Sequence, residues 1–203
     1  MAENNIEVTS IKVGLLGDGK VGKSAICNAY IGLAFINEPI STIGYEEYEK
    51  KLQVEDGKEI KLVLWDTAGQ ERFRSAAFKI IRSVQGIALV FDVSFKPSFE
   101  NVENWLNDIN DNFDNPSLIL VGNKIDLPKE KWQVTQEEID ELCTKRKLKF
   151  FATSAKENRG INDAFTYISN IIYKKLEGKK PKVIVIDNDN IKNNNQGKKK
   201  KCC

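Results

Sequence analysis

The run Gly17-Asp18-Gly19-Lys20-Val21-Gly22-Lys23-Ser24 follows the apolar segment Ile11 to Leu16 and opens a stretch of helical periodicity. A strand that turns through glycines directly into a helix leaves few architectures open. Backbone N–H groups in such a loop point inward at angles that only glycine adopts cheaply, and the helix start adds the positive end of its dipole. The spacing is that of a loop built to cradle phosphates. Lys23 supplies a point charge for β- and γ-phosphates, the Ser24 hydroxyl can ligate Mg²⁺, and the backbone from Gly17 to Ala25 lines the anion.

Around this loop, short apolar runs alternate with helix-period segments, the pattern of parallel strands joined by crossover helices. Strands are predicted over Ile11 to Leu16, Tyr48 to Val54, Ile60 to Asp66, Gly86 to Asp92, Ser117 to Val121 and Lys149 to Thr153. Asp56-Gly57 between the second and third is a hairpin signal, so those two should be antiparallel neighbours. Helices are predicted over Gly22 to Ile31, Pro97 to Asp111, Thr135 to Arg146 and Gly160 to Leu176. Thr135 with Glu138 reads as a capping box. A long polar loop is expected from Leu33 to Gly44 and another from Thr67 to about Arg74.

The chain has 203 residues and a formal charge of +2, which argues against a dedicated nucleic-acid binder. That sum hides an asymmetry. Residues 178–203 contain eight Lys and two Asp, a local +6, which against +2 for the whole leaves −4 on residues 1–177. The tail is too polar to bury anything and is expected to be disordered. Its longest apolar run, Val183 to Ile186, is far short of a membrane span, and the N-terminus lacks the pattern of an export signal. Cys27 and Cys143 read as buried thiols, while Cys202 and Cys203 end the chain; with no His at all, His-based catalysis is excluded.

Two further motifs choose the base and the metal. Asn123-Lys124-Ile125-Asp126 follows an apolar strand, and a fixed carboxylate at Asp126 can accept from both N1–H and the 2-amino group of guanine. Adenine offers neither donor and would leave the carboxylate unpaired. Asp66 ends a strand within Trp65-Asp66-Thr67-Ala68-Gly69-Gln70, where a carboxylate faces the ligand crevice of an open α/β sheet and can hold Mg²⁺ through water. The Gly69 amide is free to approach a γ-phosphate, and Gln70 can align an attacking water.

Taken together, Gly17 to Ser24, Thr42, Asp66 to Gln70, Asn123 to Asp126 and Ser154-Ala155-Lys156 stand in the order and spacing of the Ras-superfamily small GTPases, a match running from Ile11 to Leu176. Within that group the chain most resembles a Rab, through Trp65 to Ser75 and the terminal Cys202-Cys203. The resemblance implies an α/β fold with a six-stranded, mostly parallel sheet, one antiparallel edge strand and helices on both faces. It divides the chain into an N-terminal extension (1–10), a GTPase domain (11–177) and a basic hypervariable tail (178–203). It implies that the Thr42 hydroxyl joins Ser24 and Asp66 on Mg²⁺ and closes switch I over the γ-phosphate. Phe35 would touch the edge of guanine, the stem of Lys124 its face and the Ala155 backbone its O6. GTP hydrolysis with Gln70, Lys23, Gly69 and Thr42 would be slow until a partner donates an arginine, because Arg72 and Arg74 lie past the γ-phosphate position.

The resemblance also implies doubly prenylated Cys202 and Cys203, reversible attachment to the cytoplasmic face of intracellular membranes, and a monomeric switch in vesicle traffic. Its partners would be an exchange factor, a GTPase-activating protein, effectors, a prenylation escort and a GDP-dissociation inhibitor, with no nucleic acid. Two rivals stay open: a pseudo-GTPase acting as a binding module, and an ATP-dependent phosphotransferase. The chain departs from the Rab pattern after Thr42, where it reads Ile43-Gly44-Tyr45-Glu46-Glu47, and at Ile80-Ile81-Arg82-Ser83. Of the aromatic patch that contacts effectors in Rabs, only Trp65 survives.

Overall fold

A computed structural model describes residues 9–37, 42–69 and 74–179. The tail with Cys202 and Cys203, Gln70, Arg72 and most of the N-terminal extension lie outside the described residues.

Six strands form one sheet: β1 (Ser10–Leu16), β2 (Tyr45–Gln53), β3 (Glu59–Thr67), β4 (Gly86–Asp92), β5 (Ser117–Asn123) and β6 (Lys149–Ala152). Their order is β2-β3-β1-β4-β5-β6, with β2 antiparallel to β3 and every other pair parallel. The chain turns between β2 and β3 as Asp56-Gly57 anticipated, with Gly57 at φ 79° and its N–H donating to the Val54 carbonyl at 2.8 Å. β2 begins at Tyr45, three residues before its predicted start, because its ladder with β3 continues to the pair Tyr45 and Thr67. Glu46 and Glu47 are tolerated there because this is an edge strand with its residues facing solvent.

The helices are α1 (Lys23–Ile31), α2 (Arg74–Ile80), α3 (Lys96–Glu100), α4 (Val102–Asn112), α5 (Gln136–Arg146) and α6 (Ile161–Lys179). Side chains alternate across a strand, so each central strand feeds two cores. Val13, Leu15, Ala88 and Val90 meet Ile26 and Tyr30 of α1 and Phe165 and Ile168 of α6 on one face. Leu16, Leu89 and Phe91 meet Phe78 of α2, Trp105 of α4 and Ile139 of α5 on the other. All seven residues of β4 are buried, as a strand covered on both faces requires.

The capping box of α5 is present: Thr135 Oγ1 accepts from the Glu138 N–H at 3.3 Å and Glu138 Oε2 accepts from the Thr135 N–H at 3.0 Å. The single helix predicted from Pro97 is instead α3 and α4, separated at Asn101. Cys27 is fully buried, whereas Cys143 is only half-buried; burial pushes both thiols up, Cys27 the further.

Candidate functional site

β3 lies on one side of β1 and β4 on the other, so the strand order reverses at β1. In open α/β sheets ligands bind outside the carboxyl ends of the strands at such a switch point. The loop after Leu16 starts there, and the register places Asp66 beside Leu15 and Asp92 beside Asn123. Four sequence motifs far apart in the chain therefore share one edge of the sheet.

The loop is held in a tight form by its glycines. Gly17 has φ 136°, and a Cβ there would sit 2.1 Å from the Val90 carbonyl oxygen. Gly22 has φ 98°, with the Asn123 amide nitrogen 2.4 Å from where its Cβ would stand. Lys20 takes a left-handed φ of 68° without being glycine, a conformation that costs about 1 kcal/mol for an L-residue. Lys23 is almost wholly buried and donates to the carbonyls of Gly17 and Asp18, both at 2.8 Å. Burial pushes its ammonium down to about 8, against the opposing pull of Asp66 and Asp18. Gly69 packs on the loop so closely that its Cβ would lie 2.2 Å from Lys23 Nζ and 2.4 Å from the Asp18 carbonyl oxygen.

Three oxygens converge beside this lysine. Ser24 Oγ donates to Asp66 Oδ2 at 2.6 Å, Thr42 Oγ1 donates to the same oxygen at 3.1 Å, and the two hydroxyls are 2.8 Å apart. The other carboxylate oxygen, Oδ1 of Asp66, is buried without a hydrogen-bond partner. Burial pushes the Asp66 carboxyl up, partly countered by the Ser24 hydroxyl and Lys23. A hard-oxygen set with one carboxylate, two hydroxyls and an orphaned oxygen fits Mg²⁺, which dehydrates reluctantly and is held by few protein groups together with substrate phosphates. No cluster of three acidic, His or Cys side chains competes for a metal among the described residues.

The base-side motifs meet through Asn123. Its Nδ2 donates to the Val21 carbonyl at 3.0 Å, and its Oδ1 accepts from the Ala155 N–H at 3.2 Å and Thr153 Oγ1 at 3.3 Å. With 1% of its surface exposed, it acts as a clamp between three loops and reaches a ligand only through them. Ser154 Oγ donates to Asp126 Oδ1 at 2.7 Å, which fixes the carboxylate expected from the sequence to read the base. Lys124, at φ 70°, pairs with Asp92 at 2.6 Å. Lys156 is exposed, Phe35 is 41% exposed, and Ala25 packs against the core at the start of α1.

Asn123→Ala should leave a buried carbonyl and a buried N–H without partners and cost about 3 kcal/mol. Urea denaturation would register it; a loss below about 1 kcal/mol would remove Asn123 from this role.

Residues 12–174 match the Ras family. The chain belongs to that family. It is a Rab-like GTPase of the Ras superfamily. A "GTP-binding protein yptV2" from Volvox carteri is 41% identical over 169 residues, covering 83% of this chain and 77% of the relative. A "Ras-related protein YPTC6" from Chlamydomonas reinhardtii is 41% identical and covers 95% of this chain and 93% of its own. A "Ras-related protein Rab-13" from Bos taurus is 38% identical, covering 84% of each.

Against this family background, several contacts escape sequence reading. Asp18 Oδ1 accepts from Asn101 Nδ2 at 2.6 Å and Trp105 Nε1 at 2.8 Å, tying the phosphate loop to the start of α4. Asp92, which holds Lys124, also accepts from the Ser94 N–H and hydroxyl. In the same core as Trp105, Ile81 is fully buried against Gly14. The Trp65 ring lies 5.4 Å from that of Tyr45, tilted by 33°, and Glu47 sits directly across the ladder from Trp65.

Proposed function

We propose that this Rab-like GTPase binds guanosine di- and triphosphate with Mg²⁺, hydrolyses the triphosphate slowly, and serves as a membrane-recruited switch in vesicle traffic. The observation that carries the nucleotide chemistry is the convergence of Ser24, Thr42 and Asp66 oxygens within 3.1 Å of one another beside the buried Lys23. Phosphoryl transfer asks little covalent work of a protein, so positioning and electrostatics suffice. Lys23 and the loop amides hold the β- and γ-phosphates, and their charges favour the form in which negative charge has moved onto the bridging oxygen. Ser24, Thr42 and Asp66 would hold Mg²⁺, which supplies further neutralisation of phosphate charge. Asp126, fixed by Ser154, selects guanine.

Gln70 would orient the water for in-line attack. An arginine from a partner then adds a rate factor on the order of 10³ to 10⁵. Release of the γ-phosphate removes the partners of Thr42 and the Gly69 amide, so the two loops bearing them report which nucleotide is bound. The Tyr45–Trp65 pair with Glu47 gives the partner-facing side a more acidic aromatic patch than the usual Rab pattern. Cys202 and Cys203 would carry two lipid chains, as stable anchoring requires, with Lys198 to Lys201 adding attraction to an anionic leaflet.

Single-turnover hydrolysis tests the reading. Wild type should release phosphate within hours at one per protein, and Gln70→Leu should slow this at least about tenfold while keeping affinity. Equal displacement of bound diphosphate by ATP and GTP would instead favour an ATP-dependent phosphotransferase, and no phosphate release even with cell extract would favour a pseudo-GTPase.

A further inference from the structure

At the opposite edge of the sheet, where β4, β5 and β6 begin, two hollows of about 300 and 340 Å³ lie side by side and share Asn115, Ser117 and Lys175. The larger is walled by the residues preceding β5 and β6 and by the last turns of α6, with Ile109, Leu118, Leu148 and Ile171 in its lining. Its charged residues are Arg146, Lys147, Lys149 and Lys175, with no acid among them. Arg146 is paired with Glu103, but no described acid pairs with any of the three lysines. This runs against the rest of the body, since residues 1–177 sum to −4. A cluster of like charges around a concavity repels itself and gains most from a compact polyanion.

A second observation concerns the wall itself. Ser117 is 4% exposed and its hydroxyl has no hydrogen-bond partner, an exception among buried polar groups. Asn115 beside it holds a left-handed φ of 50°. Asn110, Asn115 and Tyr167 bring neutral donors and acceptors to the same hollow. Together they offer cations for phosphates and amides and hydroxyls for a polyol, in a volume at the lower end of small-ligand sites. A nucleic-acid strand would need a longer basic track with several stacking faces, and Tyr167 is the one aromatic ring in this lining.

We infer that this hollow binds an inositol ring bearing two or more phosphates, either free or as a lipid headgroup. The seven-residue strands β4 and β5 separate it by roughly 23 Å from the nucleotide edge, so both sites can be filled at once. Lys175 of the lining lies four residues before the end of α6 at Lys179.

The full chain loaded with guanosine diphosphate is titrated calorimetrically with inositol trisphosphate. In parallel it is sedimented with phosphatidylcholine vesicles containing phosphatidylinositol bisphosphate, or phosphatidylserine at matched charge. Saturable one-to-one binding is expected, weakened about tenfold by the combined Lys147→Gln, Lys149→Gln and Lys175→Gln variant and unchanged by glutamine at Lys198 to Lys201. Nucleotide retention and circular dichroism confirm that the variant folds. Pocket-dependent sedimentation with the phosphoinositide above that with phosphatidylserine assigns the lipid, and soluble binding alone assigns the free polyol; both support the site. The inference is overturned if no saturable soluble binding occurs and the pocket variant sediments as wild type. Binding that depends on the tail lysines alone, or of a deca-glutamate peptide in place of the phosphate ligand, overturns it as well.

Discussion

Asp126→Asn is expected to lower affinity for guanosine diphosphate by about 10³-fold or more and to turn preference toward xanthosine diphosphate. Ser154 Oγ already donates to Asp126 Oδ1 at 2.7 Å, so an asparagine there keeps its oxygen on Ser154 and presents its NH₂ to the base. Guanine's 2-amino group then meets a donor where it had an acceptor. Xanthine carries a carbonyl at that position and accepts. Each base leaves or removes an unpaired polar group in a partly closed site, which is why the effect is large. Competition binding with both diphosphates measures it, and an Asp126→Asn variant that still favours guanosine would sink the assignment of Asp126 to the base.

The second large effect is structural. Gly17→Ala should destabilise the fold by about 4 kcal/mol or more, placing it in the exceptional range for a single methyl group. The added Cβ would stand 2.1 Å from the Val90 backbone oxygen, and Val90 belongs to a strand buried along its whole length. Neither partner can step aside. Gly32→Ala is the control: it shares a left-handed φ, at 90°, but nothing lies within 4 Å of its Cβ. That change should cost only about 1 kcal/mol, from conformation alone. Matching urea midpoints for the two variants would show that the contact with Val90 is relieved elsewhere.

Much of the fold and site is legible in the sequence because it is local. The phosphate loop, the Asp56-Gly57 turn and the Thr135 capping box are each set by residues within a few positions of one another, and every strand starts within three residues of its predicted position. The Lys124–Asp92 pair, the clamp by Asn123 and the bonds from Asn101 and Trp105 to Asp18 join positions about 30 or more apart, which no spacing rule connects. Periodicity alone runs α3 and α4 together. The Rab resemblance groups Ile81 with an effector-contact surface, whereas the structure packs it against Gly14 in the core.

Trp105 gives the molecule an internal optical gauge. Its indole N–H is held by Asp18 of the phosphate loop, its ring lies 6.0 Å from Phe78 of α2, and it is 2% exposed. Indole emission shifts with the field at the ring and with contact to water, so a buried indole bonded to one nucleotide-facing loop and packed against the helix after the other senses both. Trp65 lies on the outer face and would respond to a docked protein. With Trp132 replaced by Phe, the wavelength of this chain's own fluorescence would separate a change at the phosphate loop from contact at Trp65.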